Sequence, residues 1–172
     1  MRIETARLLI RDIVPQDVSA LARLWADPDV TRHMGGPRDE AELRAIFEED
    51  AQRAVQPEVD DLWPVVETAS GRVVGHCGLL HKEVDGRPEV ELVYVFEQAV
   101  WGQGYATEAA GALADYAFQG VHLQRVIAPI DPNNVASERV AQKIGMCFER
   151  AIARDGGAVR RVYALEATRE GP

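Results

Sequence analysis

The stretch that decides the fold is Val93-Tyr94-Val95-Phe96-Glu97-Gln98-Ala99-Val100-Trp101-Gly102-Gln103-Gly104-Tyr105-Ala106-Thr107-Glu108. A run of strand-forming residues is followed by a short loop, the pattern Gly-x-Gly-x-Ala, and the start of an Ala-rich helix. Glycine lets the backbone approach a ligand closely, and the first turn of a helix offers amide groups without a partner in the helix. The stretch therefore predicts an anion site suited to a pyrophosphate.

Two glycine-rich nucleotide-binding motifs are excluded at this loop. No Gly-Lys-Ser/Thr follows it, as a Walker loop requires, and Thr107 replaces the third glycine of the dinucleotide fingerprint. A coenzyme A site and a plain turn before a helix are the two interpretations that remain.

Outward from this stretch, the chain predicts an α+β fold with a mixed sheet, in a single domain over residues 1–172. Strands are predicted over residues 7–11, 62–67, 73–80, 90–96, 125–130, 148–153 and 160–165. Helices are predicted over residues 15–25, 43–54, 107–119 and 137–144, with a turn at 27–29 ending the first. Ser70-Gly71, Asp85-Gly86 and Gly156-Gly157 are typical of hairpin turns, so the sheet is mostly antiparallel and flanked by about four helices.

Length and charge limit the function classes. The chain has 172 residues and a net charge of −9, which suits one domain with a core and is opposite to that of most proteins that bind nucleic acid or anionic membranes. No apolar run reaches the length of a membrane span, and the first residues lack a secretory signal, so a cytoplasmic location is expected. The histidines have no metal-ligand spacing, so no metal is expected.

Acidic residues are concentrated between positions 39 and 61. This segment holds nine Asp and Glu residues against Arg44 and Arg53. One interpretation is a solvated helix face. The other is a wall that attracts a cationic substrate.

Four motifs in order resemble the GNAT superfamily of N-acetyltransferases, in its RimJ/RimL-type branch. They are Thr5–Arg11, Asp27–Thr31, Trp101–Ala109, and Asn134–Ser137 followed by Val140, Lys143 and Gly145. The resemblance covers almost the whole chain. One departure is Met146-Cys147, which stands before Phe148 where the family usually has Phe directly after the glycine.

The resemblance implies acetyl-CoA as co-substrate and a direct transfer, in a ternary complex, to a primary amine. That amine is a protein amino terminus or a small cationic amine. The resemblance further implies that the fourth and fifth predicted strands are splayed and that the pantetheine arm lies between them. The implied cofactor-binding residues are Val95, Phe96, Trp101, Gly102, Gln103, Gly104, Tyr105, Ala106, Thr107, Asn134 and Lys143.

Glu91 and Ser137 are the implied catalytic residues. Glu91 would take the proton of the amine through water, or would be a structural strand residue; Glu89 shares its face and could replace it. Ser137 would protonate the leaving thiolate, or would be a helix N-cap. His33 lies in a loop that shapes the acceptor site in the family, and Tyr94 is predicted to belong to the core. A non-catalytic acetyl-CoA-binding module or sensor is the alternative function, and a homodimer is possible.

Overall fold

The computed structural model describes residues 1–53, 59–153 and 157–167. The strands are β1 (Arg2–Glu4), β2 (Leu8–Arg11), β3 (Asp61–Glu67), β4 (Val73–Val84), β5 (Arg87–Phe96), β6 (Arg125–Ile130), β7 (Cys147–Ala153) and β8 (Val159–Glu166). The helices are α1 (Val18–Ala26), α2 (Pro28–Thr31), α3 (Glu40–Asp50), α4 (Tyr105–Asp115) and α5 (Val135–Lys143). Short 3-10 turns precede α1 and α4, and a π-helical turn, Tyr116–Gly120, follows α4.

The strands form one eight-stranded sheet in the order β1-β2-β3-β4-β5-β6-β8-β7. All neighbours are antiparallel except β5 and β6, which are parallel. This arrangement confirms the predicted mixed, mostly antiparallel sheet of an α+β fold. Because β1 was not predicted, β5 and β6 are the fourth and fifth strands of the sequence-based prediction.

The parallel pair β5 and β6 is in register at one position among the described residues, Glu91 opposite Ile127. Beyond it the next hydrogen bond of a regular ladder would need an amide from Pro129. The amide of Ala167 donates to the carbonyl of Gln124, so the even residues of β6 face β8 and the odd ones face β5. Pro129 therefore faces β5 without an N–H group. The pairing ends there, as predicted for these strands.

An ion-pair cluster closes the other end of this gap. Glu89 precedes Glu91 by two positions and is buried, and its carboxylate accepts from Arg125 Nε at 3.0 Å. Arg125 also pairs with Glu149 at 2.7 Å and with Glu166. Because Glu89 and Arg125 lie on β5 and β6, they fasten the two strands just before the strands separate.

Both faces of the sheet are covered. Leu92 and Phe96 of β5 pack in a cluster with α4, whereas Val93 and Val95 pack in a second cluster with α1 and α3. The alternation of side chains along β5 explains this division. From Leu92 to Phe96 the strand is covered on both faces, and this part of it is a continuous run of apolar and aromatic residues.

Some predicted elements differ from the structure. The turn predicted at 27–29 is the start of α2, because the carboxylate of Asp27 caps it by accepting from the amide of Asp29 at 2.8 Å. The helices α4 and α5 each begin two residues before the predicted start, at Tyr105 and Val135. The end of the predicted second helix at position 54 and Gly156 of the last hairpin lie outside the described residues.

His76 of β4 is buried between the sheet and the helices α1 and α3. It is 2% exposed, its Nδ1 accepts from Nε1 of Trp25 at 2.9 Å, and its ring lies 5.6 Å from the ring of Phe47. Burial disfavours the charged imidazolium and lowers the pKa of His76 to about 4. His76 is therefore neutral in the folded protein at neutral pH.

We expect the free energy of unfolding to depend less on pH in acid for the His76→Gln variant than for the wild type. The folded-state pKa of His76 lies below its unfolded value. Its contribution to the free energy of unfolding is therefore fully present above about pH 6.5 and is lost as the pH falls toward 4. The measurement is urea unfolding at several pH values. The stability gap between wild type and variant should narrow as the pH falls, and a constant gap would contradict the assignment. His122→Asn, at an exposed position, is the control.

Candidate active site

A cleft of about 70 Å³ lies between the diverging ends of β5 and β6. Its lining brings together three of the predicted site residues, Glu91, Asn134 and Ser137. His33, Tyr94 and Asp131 also line it. The site is therefore built from two strands, the start of α5 and the loop after α2.

Glu91 lies where β5 and β6 make their last contact before separating, and its side chain is half-buried. Glu89, which the sequence presented as an equivalent carboxylate, is engaged elsewhere. Its oxygens pair with Arg125 at 3.0 Å and with Arg150 at 3.7 Å. Glu89 does not line the cleft, so the expectation that it could replace Glu91 is wrong.

The start of α5 is organised by Asn134. Its Oδ1 accepts a hydrogen bond from the amide of Ser137 at 3.1 Å, which makes Asn134 the N-cap of the helix. The interpretation of Ser137 as the N-cap is therefore wrong. The Ser137 hydroxyl is instead directed to Tyr94, whose Oη lies 2.9 Å from Ser137 Oγ and 3.0 Å from the carbonyl oxygen of Ser137.

Tyr94 is the cleft residue that the sequence assigned to the core. Its ring packs against the core while its hydroxyl reaches Ser137. Burial raises the pKa of Tyr94 to about 12, partly offset by the Ser137 hydrogen bond, so the phenol stays protonated at neutral pH. A tyrosine between apolar strand residues is the signal that could have indicated a polar contact here.

The glycine loop between β5 and α4 presents unpaired amides. Gly102 and Gly104 both adopt left-handed conformations, with φ of 76° and 84°, which favour glycine. The amides of Trp101 and Gln103 donate within the loop, to Gln98 and Val100. Among the described residues no acceptor is found for the amides of five positions, which are Gly102, Gly104, Tyr105, Ala106 and Thr107.

The amino-terminal segment braces this loop from the side of β2. Arg7 donates to the carbonyl of Gln103 at 2.9 Å and to the Glu108 carboxylate at 2.7 Å, and its guanidinium lies 4.4 Å from the centre of the Tyr105 ring. Thr5 also donates to Glu108, at 2.6 Å. Although burial opposes it, these hydrogen bonds hold the pKa of Glu108 below its usual value. Arg7 and Glu108 thus act on the loop without belonging to it.

Hydrogen-bond alternation decides which β5 amides face the cleft. The amide of Glu97 donates to the carbonyl of Val74 on β4 at 3.0 Å, and the β4–β5 register has no shift. By alternation the amide of Val95 also faces β4, whereas those of Tyr94 and Phe96 face the gap. Of the two predicted cofactor residues of β5, Val95 thus turns its amide to β4 and Phe96 turns its amide to the gap.

Trp101 attaches the loop to the end of β5. Its indole Nε1 donates to the carbonyl of Phe96 at 2.8 Å, while the side chain is 52% exposed. That carbonyl faces the gap like the amide N–H of the same residue. Trp101 therefore uses the carbonyl of Phe96 and leaves its amide N–H available.

Thr107 and Lys143 lie apart from the cleft. Both line a second, larger groove of about 440 Å³, between α4 and the end of α5. Asn134 and Lys143 are thus at opposite ends of α5. Of the predicted cofactor residues, Asn134 lines the cleft, Trp101 to Ala106 lie in the glycine loop and the start of α4, and Thr107 and Lys143 line the groove.

The acidic segment does not contribute to the cleft. None of its described residues, 39–53 and 59–61, lines the cavity, and several form local pairs such as Arg44 with Glu40 at 2.8 Å. The solvated helix face is the interpretation that this arrangement supports. In residues 1–53, 59–153 and 157–167 there is also no cluster of three potential metal-ligating side chains. Over the same ranges, every helix is too short or too polar to cross a bilayer.

Comparison with known proteins gives the family. The family model for an acetyltransferase (GNAT) domain matches residues 7–147, which is most of the chain. The chain belongs to the GNAT acetyltransferase family. It is therefore an acetyltransferase, and its mostly antiparallel eight-stranded sheet is the fold of that family.

Individual relatives agree with this assignment. The uncharacterized protein YkkB of Bacillus subtilis is 33% identical over 154 residues, which cover 89% of each chain. The uncharacterized N-acetyltransferase YnaD of the same species is 33% identical over 150 residues, 85% of this chain and 82% of its own. A crystal structure of a GNAT-family acetyltransferase from Bacillus anthracis is 30% identical, with a TM-score of 0.81 over 96% of this chain and 98% of its own. The RimJ/RimL-type branch stays a prediction.

We predict that Arg7→Met weakens the binding of coenzyme A by about 5- to 30-fold, as expected when about 1–2 kcal/mol of loop bracing is lost. The variant removes the bond to the Gln103 carbonyl and leaves the loop amides in place. Titration calorimetry measures the affinity. Arg2→Met, which removes an exposed pair with Glu4, should bind coenzyme A like the wild type. Equal affinities for both variants would show that Arg7 does not brace the site.

Proposed function

We propose that this protein transfers the acetyl group of acetyl-CoA to a primary amine by direct attack in a ternary complex. The observation that supports the proposal is the cleft between the two parted strands, which is lined by Glu91, Tyr94 and Ser137. The loop with unpaired amides follows β5 directly. The proposed base, Glu91, thus lies on β5, the proposed proton donor, Ser137, contacts β5 through Tyr94, and the proposed phosphate site follows the end of the same strand.

The free amides at the start of α4 support binding of the pyrophosphate. Five amides of the loop and of the start of α4 have no acceptor in the part of the chain that the structure describes, and together with the positive end of the helix dipole they suit an anion. The hydroxyl of Thr107 adds a donor at the same helix start. Lys143 would serve an acidic part of the cofactor that extends into the groove between α4 and α5.

The parted strands support binding of the pantetheine arm. The gap-facing amides of Tyr94 and Phe96 can pair with an extended, amide-containing chain in the manner of an added strand. Asn134 uses its Oδ1 for the helix cap, so its amide nitrogen is the group that can donate to the arm.

Glu91 is the proposed general base. The amine nitrogen attacks the thioester carbon in its neutral form, and the proton that it then loses passes to the Glu91 carboxylate, directly or through water. Collapse of the tetrahedral intermediate breaks the carbon–sulfur bond and releases a thiolate. One proton must therefore reach the sulfur for each proton that Glu91 removes from the nitrogen.

The Ser137 hydroxyl is the proposed donor to the thiolate, and its proton is replaced in the same step from solvent, which in turn receives the proton that Glu91 took. Tyr94 controls the direction of the hydroxyl. When the phenol donates to Ser137 Oγ, at 2.9 Å, the serine proton is free to point away toward the sulfur. When the phenol donates to the Ser137 carbonyl, at 3.0 Å, the serine proton is drawn to the phenol oxygen. Because Tyr94 stays protonated, it is able to support the productive orientation throughout the neutral pH range.

The proposed acceptor is a protein amino terminus or a small cationic amine. The RimJ/RimL-type resemblance supports the first, and the carboxylates of Glu91 and Asp131 in the cleft suit either. We further propose that residues 1–172 act as one domain in the cytoplasm.

The test of transfer is acetyl-CoA-dependent thiol release with a panel of peptides with free amino termini, polyamines, amino acids and aminoglycosides. The expected result is one acceptor whose rate of thiol release lies well above the rate measured without any acceptor.

With that acceptor, Glu91→Gln should lower kcat at pH 7 by at least about 100-fold and leave the acetyl-CoA affinity unchanged. Glu83→Gln, at an exposed position of β4, is the matched control. Unchanged turnover in Glu91→Gln would remove Glu91 from the reaction, and silence across the panel would favour a binding module.

We expect Ser137→Ala and Tyr94→Phe each to lower kcat, by about 10-fold for one lost donor or its orienting partner. The double variant should be little slower than Ser137→Ala, because both changes interrupt one proton path. Thermal unfolding provides the check on Ser137→Ala: since Asn134 is the cap, the melting temperature should be nearly unchanged. Full activity in Ser137→Ala would exclude the serine as proton donor.

A further inference from the structure

Resting on the proposed transfer, we infer that Arg160 and Asp131 are positioning residues for the acceptor amine. Their ion pair fastens the loop that carries His33 and Met34 to the side of the cleft formed by β6. Neither residue belongs to the proposed donor, base or thiolate machinery.

Asp131 follows the last residue of β6 and serves two segments at once. Its Oδ1 accepts from the amide of Asn133 at 2.9 Å, and its carbonyl accepts from the amide of Asn134 at 2.8 Å. These bonds shape the turn that leads into the N-cap of α5. Its other carboxylate oxygen, Oδ2, accepts from Nη1 of Arg160 at 3.0 Å. The two oxygens of one carboxylate thus have separate tasks.

Arg160 extends the connection to the other wall of the cleft. It is a β8 residue whose side chain is 14% exposed, and its Nη2 donates to the carbonyl of His33 at 3.5 Å. The imidazole Nδ1 of His33 also lies 3.9 Å from Asp131 Oδ2. Arg160 of β8 therefore contacts the main chain of His33, and Asp131, directly after β6, lies near its ring.

The loop that is held in this way contains two glycines and is closed by short-range hydrogen bonds. Gly35 and Gly36 both have positive φ, at 96° and 88°. The amides of Met34 and Gly36 donate to the carbonyl of Thr31, at 2.8 and 3.1 Å, which closes the loop locally. His33 and Met34 line the cleft, so a loop released from Arg160 changes the acceptor wall while the donor wall stays in place.

The two oxygens of Asp131 make the test selective. Arg160→Met removes only the connection to the loop. Asp131→Asn keeps an oxygen for the Asn133 amide and loses the charge that binds Arg160, so it should behave like Arg160→Met. Both variants should raise KM for the acceptor by about 10-fold, the effect of about 1.4 kcal/mol, with KM for acetyl-CoA within about two-fold of the wild type. Asp131→Ala also loses the turn bond and should raise both KM values.

Arg161→Met is the matched control, because this neighbouring residue pairs with Glu138 at 2.8 Å and is 44% exposed. Arg160→Lys should recover part of the acceptor KM. An acceptor KM equal to that of the wild type in both Arg160→Met and Asp131→Asn would overturn the inference.

Hydrogen exchange provides a readout that needs no activity. In the protein without substrates, Arg160→Met and Asp131→Asn should speed exchange at the amides of Met34 and Gly36 by about 10-fold, and Arg161→Met should not. Unchanged exchange in both variants would contradict the connection, whatever the kinetics show. If the wild type acetylates no amine, the proposed function fails, whereas the exchange experiment still decides whether Arg160 holds the loop.

Discussion

Pro129 lacks the one amide that would continue the pairing of β5 with β6, and the site depends on this missing donor. The two strands pair at Glu91 and Ile127 and are fastened just before that point by Glu89 and Arg125. A regular ladder would close the space in which the cleft lies. The parted strands instead keep backbone groups that a folded chain normally pairs, and an extended, amide-bearing substrate is the kind of molecule that can pair with them.

The two walls of the site are held by different arginines from distant parts of the chain. Arg7, from the segment before β2, braces the glycine loop through Gln103 and Glu108. Arg160, from β8, reaches the acceptor loop through Asp131 and His33. Each guanidinium joins a carboxylate and a main-chain carbonyl, which its several fixed donors allow. The glycine loop and the loop that carries His33 are therefore held independently of each other.

Local chemistry accounts for what was predictable from the sequence. The Asp85-Gly86 turn, the glycine loop and the Ala-rich helix are determined by neighbouring residues, and each appears near its predicted position. Asn134, Ser137 and Glu91 were found through motif resemblance, and the structure places them in one cleft. The tasks of Glu89 and Tyr94 depend on partners 36 and 43 positions away, and spacing within a strand cannot reveal these. Pro129 was a signal within reach, because a proline in a central strand indicates a missing ladder bond.

The glycine loop has a consequence for the evolution of the chain. The groups that the proposed function assigns to a phosphate are main-chain amides, and every residue type except proline carries one. What selection must preserve there is a backbone path, set by two left-handed glycines and by the residues that brace them from outside. Side chains of the loop that do not contact Arg7 or the end of β5 can change without altering the main-chain amides. Lineages can therefore diverge widely in sequence at this loop while they inherit the same recognition of a charged ligand.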